Sequence, residues 1–483
     1  MKSAFHIIGL TFGKHGALCL SGIALIILML LFGSCSSIEP PKIKVGVAEK
    51  VITPQNPVGV PMSGYARKGP STGVHDDLYA RSLVIEGEDG TSVALITLGI
   101  INLSVRYCDE IRAGINKETG IPEDNIVISC THTHSGAAPY GKKQEEYGKY
   151  IMAQTTASVI EAWNSRVPGR IGTGAVEVLE LGKNDRRMSY GGLHPDPEAG
   201  IIKVENAKGK LIGIAFIYGC HPSTLDLHNL EITEDWPYYS IIGIKEKVGE
   251  DVWVAYFQSA QGDVKVGYTA ELSAVGADMG IRNFKYAEHK GRMMVEPVVS
   301  TLSGIVTSGS PVLDSVNSYA DFPLRESYPM THAEALQKQA DAKEKLAEME
   351  KKADTIGKRV LDQYKVDVFL ANLAVGTARR VEEQENPKPL TMRRQAVRIG
   401  DTVIVTFPNE VFTEIGLKVK QQSPFEKTFV VGLASGHGGY IPTAAEFLEG
   451  GYASVMTGFS PKCEKVLIDT SRELISRLEY VEK

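Results

Sequence analysis

Cysteine, surplus positive charge and long apolar runs are all scarce in this chain of 483 residues. It has six cysteines, with no Cys-x-x-Cys pair and no dense spacing, so no disulfide framework is indicated. Lysine and arginine total 52 against 58 aspartates and glutamates, a net charge of −6, and nothing in that balance points to a nucleic-acid partner. The apolar run from Ala17 to Gly33 falls short of the roughly 20 residues that a spanning helix needs. No low-complexity segment and no internal repeat occurs. What is there is an ordinary globular composition, 43% hydrophobic and 23% charged,. The length suits two or three domains, or one large α/β domain. No clear linker breaks the chain, so one domain over residues 42–483 is expected.

The first residues read separately. Lys2 and Lys14 precede the apolar run, and Ser34, Cys35, Ser36 and Ser37 follow it. A basic start, an apolar stretch and small residues form the pattern of a secretory signal. Leu31-Phe32-Gly33-Ser34-Cys35 resembles a bacterial lipobox. The resemblance implies cleavage before Cys35 and lipid on its thiol and amine. The expectation is a signal peptide over 1–34, a tether over 35–41 and a lipid-anchored protein of the bacterial cell envelope, on its periplasmic or outer face. The alternative is an uncleaved N-terminal anchor.

Along the rest of the chain, periodicity predicts an α/β fold, a mixed β-sheet core flanked by helices. Leu78 to Glu86 and Val93 to Leu103 read as strands, the second so apolar that both faces should be buried. Ser104 and Gly120 bracket a helix as N-cap and C-terminal stop. Gln144 to Ser165 has helical spacing, and Ile171 to Leu181 alternates like a strand. Ile201 to Glu205 and Leu211 to Tyr218 read as a hairpin, as does Met392 to Phe407 with Gly400-Asp401 at its turn. Thr331 to about Leu373 is rich in Ala, Lys, Glu, Gln and Leu with alternating charge, a solvent-exposed helix or helical hairpin. Lys462 to Tyr480 is a closing helix.

Five apolar runs stop abruptly in residues capable of chemistry. Ile126-Val127-Ile128 leads to His132 and His134, two residues apart and on one side of an extended chain. Ile214 to Tyr218 leads to Cys220-His221. Val252 to Phe257 leads to Gln258 through Asp263. Val403 to Phe407 leads to Pro408-Asn409-Glu410. Phe429 to Leu433 leads to Gly436 through Tyr440. Ligands of open α/β sheets bind beyond the carboxyl ends of strands, so the site is expected there. Each residue alone has an ordinary structural role: His221 before proline can be a turn residue, Glu410 a helix N-terminal carboxylate, Tyr440 a core aromatic. Together, two imidazoles, a carboxylate and a phenol suit zinc, which lowers the pKa of a bound water toward about 7. Cys220, pointing opposite to His221, should pack in the core behind the site.

At these residues the chain resembles the neutral/alkaline, non-lysosomal ceramidase family. The resemblance covers the catalytic domain, roughly Val45 to Pro461, and not the family's C-terminal β-sandwich. It is carried by Thr131-His132-Thr133-His134-Ser135-Gly136, Gly262-Asp263-Val264, Pro408-Asn409-Glu410 and Gly439-Tyr440-Ile441-Pro442-Thr443-Ala444-Ala445-Glu446. It implies zinc ligands at His132, His221, Glu410 and Tyr440, with His134 a non-ligand facing the substrate. It puts a substrate-pocket arginine at Arg186, with Arg187 an equal candidate. It implies hydrolysis of the amide of ceramide to sphingosine and a fatty acid.

The departures from the family bear on the substrate. Gly262-Asp263-Val264-Lys265-Val266-Gly267 stands where the family has Gly-Asp-Val-Ser-Pro-Asn, so Lys265 replaces a serine important for activity. Asn409 replaces a glycine, and His221-Pro222-Ser223-Thr224 differs from the family's His-Gly-Thr. Lys265 can neutralise an oxyanion or bind an acidic substrate, but it cannot act as that serine does. Asp263 can orient a ligand from behind, and His134 can serve as acid or base. The expected activity is a zinc-dependent amide hydrolase acting on a lipid. Its rivals are an esterase or deacetylase of other lipids or glycans, and an inactive surface lipoprotein that binds them.

Overall fold

The run Val93 to Leu98 has no polar face, and the computed structural model leaves it none: the strand Ser92–Leu98 is buried at every residue. The structure describes residues 39–139, 144–184, 192–277, 280–436 and 438–479. The signal peptide, Cys35, Arg186 and Arg187 lie outside the described residues. Residues 41–483 form one unit by backbone contact.

Eight strands make the larger sheet: β1 (Ile43–Val51), β2 (Tyr79–Glu86), β3 (Ser92–Leu98), β4 (Ile126–Cys130), β5 (Val167–Glu177), β6 (Glu198–Asn206), β7 (Leu211–Tyr218) and β8 (Trp253–Gln258). Their order is β8-β7-β6-β5-β1-β2-β3-β4. The pairs at either edge, β3–β4 and β7–β8, are parallel, and the inner pairs are antiparallel. Each parallel pair needs a crossover. The helix α1 (Val105–Thr119) crosses from β3 to β4. A second helix, α2 (Glu145–Asn164), follows β4, and α3 (Trp236–Val248) crosses from β7 to β8. Helix α1 has the expected ends. The Ser104 hydroxyl accepts from Tyr107 N, and Gly120 sits at φ 77°, where a side chain would be strained,. The sheet curls until its two edges meet: Thr97 Oγ1 donates to Tyr256 O (2.8 Å) and Gln258 Nε2 to Thr131 O (3.2 Å).

A second, four-stranded sheet runs in chain order: β9 (Leu313–Phe322), β10 (Leu390–Ile399), β11 (Thr402–Thr406) and β12 (Lys427–Val431). Between β9 and β10 rises a hairpin of two helices, α4 (His332–Glu350) and α5 (Lys358–Glu383). Helix α6 (Thr413–Gln422) makes the parallel crossover from β11 to β12, and α7 (Cys463–Glu479) closes the fold.

The buried residues give the layering. Val45, Leu83, Ile202 and Ile217 of the large sheet pack against Ile399, Ile404 and Phe429 of the small one. The outer face of the large sheet packs on Ile111 and Ile115 of α1, Ile151 and Val159 of α2, and Ile241 and Ile244 of α3. The outer face of the small sheet packs on Ile415 of α6 and on Leu467 and Leu474 of α7. The approach of the sheets is close at Gly200, where a Cβ would stand 2.7 Å from the Phe429 ring.

The mixed sheet flanked by helices is the predicted class, but the second sheet as a separate layer is not foreseen by the pattern. The strand expected over Ile171–Leu181 begins and ends four residues earlier. Its first residues are recruited by pairing with β1, Ile43 opposite Gly169, and Val178 and Leu181 are buried in the loop beyond. The charged segment is a helical hairpin reaching Glu383, ten residues past the expected end.

Candidate metal centre

The five predicted strand ends are those of β4, β7, β8, β11 and β12, and they converge. Strand β4 stops at Cys130. Thr131 N and His132 N then donate to Leu98 O (2.8 Å) and Ile100 O (3.0 Å), and His134 N to Pro222 O (2.9 Å). His132 sits at φ 70°, a left-handed conformation uncommon for a side chain of its size. The two histidines therefore meet across a turn, not through the alternation of a strand. Gly64, at φ 92°, presses on this turn: a Cβ there would stand 2.6 Å from His134 Cα.

His132 Nδ1 lies 2.7 Å from Ile101 O, and His221 Nδ1 lies 3.0 Å from Val264 O. A carbonyl only accepts, so each Nδ1 carries a proton and Nε2 is the nitrogen that each ring turns to the site. Both Nε2 atoms stand 3.2 Å from the same oxygen, Glu410 Oε2. Burial, then Lys265, holds His221 down to about 3, so its ring is neutral near pH 7. Burial raises the Glu410 carboxyl, but His132 and His221 outweigh it and keep Glu410 ionised, well below the usual carboxylate range. Two imidazole nitrogens thus converge on one carboxylate oxygen, and one carboxylate with imidazoles is a donor set that suits zinc,.

His134 joins this group. One nitrogen from each of His132, His134 and His221 lies within 4.8 Å of the others. Both His134 nitrogens are buried without a hydrogen-bond partner. Burial first, then His132, Lys265 and His221, hold its pKa well below the usual histidine range. The sequence set His134 apart from the metal ligands, whereas the distances put it within reach of the same cation. Tyr440 is beside Glu410 in register, in a two-residue parallel pairing. Its ring faces that of His221 at 6.5 Å, tilted by 21°.

Asp263 braces the site from behind. Its Oδ1 accepts from Thr413 N (2.8 Å) and Thr413 Oγ1 (2.7 Å), and its Oδ2 from Asn184 Nδ2 (2.8 Å). It fastens the start of α6, three residues past Glu410, to the end of β8. Lys265 follows Val264, the residue whose carbonyl holds His221, and is buried. Cys220 is buried in the core behind His221.

Several residues that brace the site went unassigned at the level of sequence. Gln258 takes Cys220 N on Oε1 and gives Nε2 to Thr131 O and Cys220 O, tying three strand ends together. Arg67 Nη2 donates to His134 O (2.7 Å), and the Tyr65 ring stands edge-on to His134 at 4.9 Å. Arg282 holds Tyr65 Oη (2.9 Å), Ser223 O and Leu225 O. The partners are mostly loop carbonyls far away in the chain, and no spacing or motif signals them.

Comparison with known proteins agrees with this fold. Residues 43–266 match the family described as neutral/alkaline non-lysosomal ceramidase, N-terminal. Neutral ceramidase of Drosophila pseudoobscura pseudoobscura is 26% identical over 256 residues, 48% of this chain and 36% of that protein. Neutral ceramidase of Drosophila melanogaster is 25% identical over 229 residues, 42% of this chain and 32% of that protein. The matched stretch thus spans about a third of the length of these relatives. The crystal structure of neutral ceramidase from Pseudomonas aeruginosa superposes with a TM-score of 0.69 at 18% identity, over 92% of this chain and 76% of that one. A ceramidase complexed with C2 gives the same score over 77% of its chain. At that identity the likeness speaks for the fold.

Proposed function

We propose, from the premise that residues 43–266 resemble the neutral/alkaline non-lysosomal ceramidase family, that the protein is a zinc-dependent hydrolase of the amide bond of an acylated lipid amine, with ceramide as the reference substrate. The observation that carries this reading is the pair of imidazole Nε2 atoms facing one oxygen of Glu410. His132, His221 and Glu410 would hold the ion, with Tyr440 and His134 beside them. Zinc bound there supplies a Lewis acid for the carbonyl and lowers the pKa of a water toward about 7.

The chain's own residues do the rest. Ile101 O and Val264 O fix the imidazole tautomers and ring directions. Asp263, through Thr413, fixes the segment that carries Glu410. Hydrolysis breaks the C–N bond, puts the water oxygen on the acyl carbon and must deliver a proton to the leaving nitrogen. His134, neutral and without a protein partner on either ring nitrogen, can take a proton from the water and pass it on.

The test is metal analysis of gently purified protein, with ceramide turnover measured before chelation, after it and after zinc is restored. About one zinc per chain and activity that follows the metal are expected. Turnover indifferent to chelator, or no metal in active protein, would sink the reading. The lipobox at Cys35 further suggests that the enzyme works at a membrane surface of the cell envelope. Loss of lipid labelling in Cys35→Ser is the expected outcome, and unchanged labelling excludes the anchor.

A further inference from the structure

We infer that Tyr65 aims His134: it is a positioning residue whose ring, held by two arginines, fixes an imidazole that no hydrogen bond fixes. The inference rests on the hydrolase reading above and deepens it, since it concerns the group that would carry a proton to the leaving nitrogen.

The three histidines of the centre are held in different ways. His132 gives its Nδ1 proton to Ile101 O, and His221 gives its own to Val264 O. The backbone of His134 is held as firmly, its N–H donating to Pro222 O (2.9 Å) and its carbonyl accepting from Arg67 Nη2 (2.7 Å). Its ring is not: both nitrogens are buried, and neither has a hydrogen-bond partner among the described residues. The last torsion of a histidine side chain is broad and roughly two-fold, so without a hydrogen bond its direction is left to packing. Three rings pack on it: His132 at 5.1 Å, His221 at 5.6 Å and Tyr65 at 4.9 Å, edge-on at 63°. The two imidazoles belong to the proposed donor set. Tyr65 is the nearest of the three and lies outside that set.

Tyr65 is itself built in. Ser63 N donates to Gly136 O (2.9 Å), and Met62 bridges to Ala137, so the segment before Tyr65 is tied to the loop that carries His134. Gly64, between them, leaves no room for a Cβ beside His134. Arg282 Nη2 donates to Tyr65 Oη (2.9 Å), while the same side chain holds Ser223 O, Thr224 O and Leu225 O, the loop just past His221. The guanidinium carbons of Arg67 and Arg282 stand 5.3 and 5.7 Å from the centre of the Tyr65 ring, within cation–π reach. The tyrosine is thus fixed at its backbone, at its hydroxyl and over its ring. It is only half-buried and adds little to the core, so this bracing serves the place where the ring stands.

The step at stake is proton transfer from the water to the leaving nitrogen. It needs His134 in line with both, and a misplacement of about 1 Å can cost on the order of a hundredfold. The experiment uses the full chain, zinc-loaded, with a short-chain ceramide as substrate. Tyr65→Leu keeps bulk but loses the flat edge, and should lower kcat about 30-fold with KM within about threefold and zinc content unchanged. Tyr65→Phe keeps the ring and should recover all but about threefold of that loss. Tyr65→Met repeats the test should Tyr65→Leu not fold. In a His134→Ala background, Tyr65→Leu should lower kcat by less than about twofold more, because the residue it aims is gone. Crystal structures give a readout apart from turnover: a single His134 ring orientation in the wild type and Tyr65→Phe, with and without zinc, and more than one in Tyr65→Leu. An equal loss with and without His134, or a ring that stays single in Tyr65→Leu, overturns the inference and leaves the hydrolase reading standing. A ring loosened by removing zinc from the wild type assigns the aim to the ion and overturns it too. A ring loosened only in Tyr65→Leu, in a protein that turns over no amide, leaves the positioning standing and removes the hydrolase.

Discussion

His221 and Glu410 are 189 residues apart in sequence and 3.2 Å apart in space, whereas in the hairpin of α4 and α5 many bonds join residues three or four apart. Thr331 caps Glu334 N and receives Glu334 in return. Gln337 reaches Asp341, Lys352 reaches Glu348 and Lys365 reaches Asp362. Helix α4 buries one residue, Ala335, while the metal centre buries nearly everything it uses. The hairpin is written in local sequence and the centre in the meeting of distant strands. The two should therefore fail differently. Damage to the centre should abolish chemistry and leave the fold, and damage to the hairpin should cost stability and leave chemistry.

The largest effect is expected at Glu410. Glu410→Gln keeps the shape and removes the charge. Ceramide turnover should fall about a thousandfold, some 4 kcal/mol of activation free energy. The metal-free variant should melt below the metal-free wild type, because the fold holds the Glu410 carboxyl ionised, well below its usual range, and that stabilisation goes with the charge,. Added zinc should raise the melting temperature of the wild type, as a ligand of the folded state does, and leave the variant unmoved. A variant that still gains stability from zinc breaks the contrast, since the centre would then not depend on this carboxylate.

Acid is the next way to separate the regions. His194 is buried near the centre, its Nε2–H given to Gly219 O (2.7 Å) and its Nδ1 accepting from Asp196 N (3.1 Å). Protonating Nδ1 breaks the second bond. Burial pushes His194 down to about 4 from its ordinary 6.5, against the pull of Gly219 O. Between those values the unfolded chain binds a proton that the folded chain refuses. Stability is therefore lost as the pH falls from 6.5 toward 4, by roughly 3 kcal/mol at 1.36 kcal/mol per unit. Denaturant titrations at pH 7 and pH 4.5 should show that loss reduced by most of this amount in His194→Gln. An identical loss in both proteins would clear His194.

The contrast also explains what was legible. Strands β3, β4, β7, β8, β11 and β12 are covered on both faces, so each reads as an apolar run, and the polar residues at the run's end mark the site. Helix α1 was legible because Ser104 and Gly120 do their capping locally. The His132–His134 pairing was found for the wrong reason: a strand was assumed to continue where a left-handed residue turns the chain. Asp263 was grouped with the site as a support from behind, and its Oδ1 holds Thr413, three residues past Glu410, while its Oδ2 holds Asn184. Arg67 and Arg282 were invisible because each braces loop carbonyls reached only after folding, and Gln258, legible as a polar strand end, gave no sign of the carbonyls it holds. Strand β9 hides for another reason, since a run of five of its ten side chains, Asp314 to Ser318, is only half-buried and shows no period.

One contact runs between the two regions and could undo their separation. Phe369 of α5 stacks on Tyr452 at 5.9 Å, Tyr452 stands edge-on to Tyr440 at 5.6 Å, and Tyr440 faces His221. Phe369 is half-buried, so Phe369→Ala should cost about 2 kcal/mol of stability, less than a fully buried ring. If the rings transmit position, kcat should also drop several-fold and zinc affinity with it, and Phe369→Leu should recover part of both. If stability alone changes, the hairpin is only a neighbour.

The smallest change tests the hairpin by itself. Thr331 is exposed and touches nothing in the centre. Its hydroxyl accepts from Glu334 N, while the Glu334 carboxylate takes Thr331 N (2.7 Å). Thr331→Ala leaves one helix donor to water and should cost about 1 kcal/mol, read as a lower denaturant midpoint with an unchanged slope. Turnover at pH 7 should stay within about twofold, because no bond of the cap reaches α5's contact with Tyr452. A loss of activity larger than that would mean that fraying at the start of α4 loosens α5 as well, and the hairpin would then have to be counted among the supports of the metal centre.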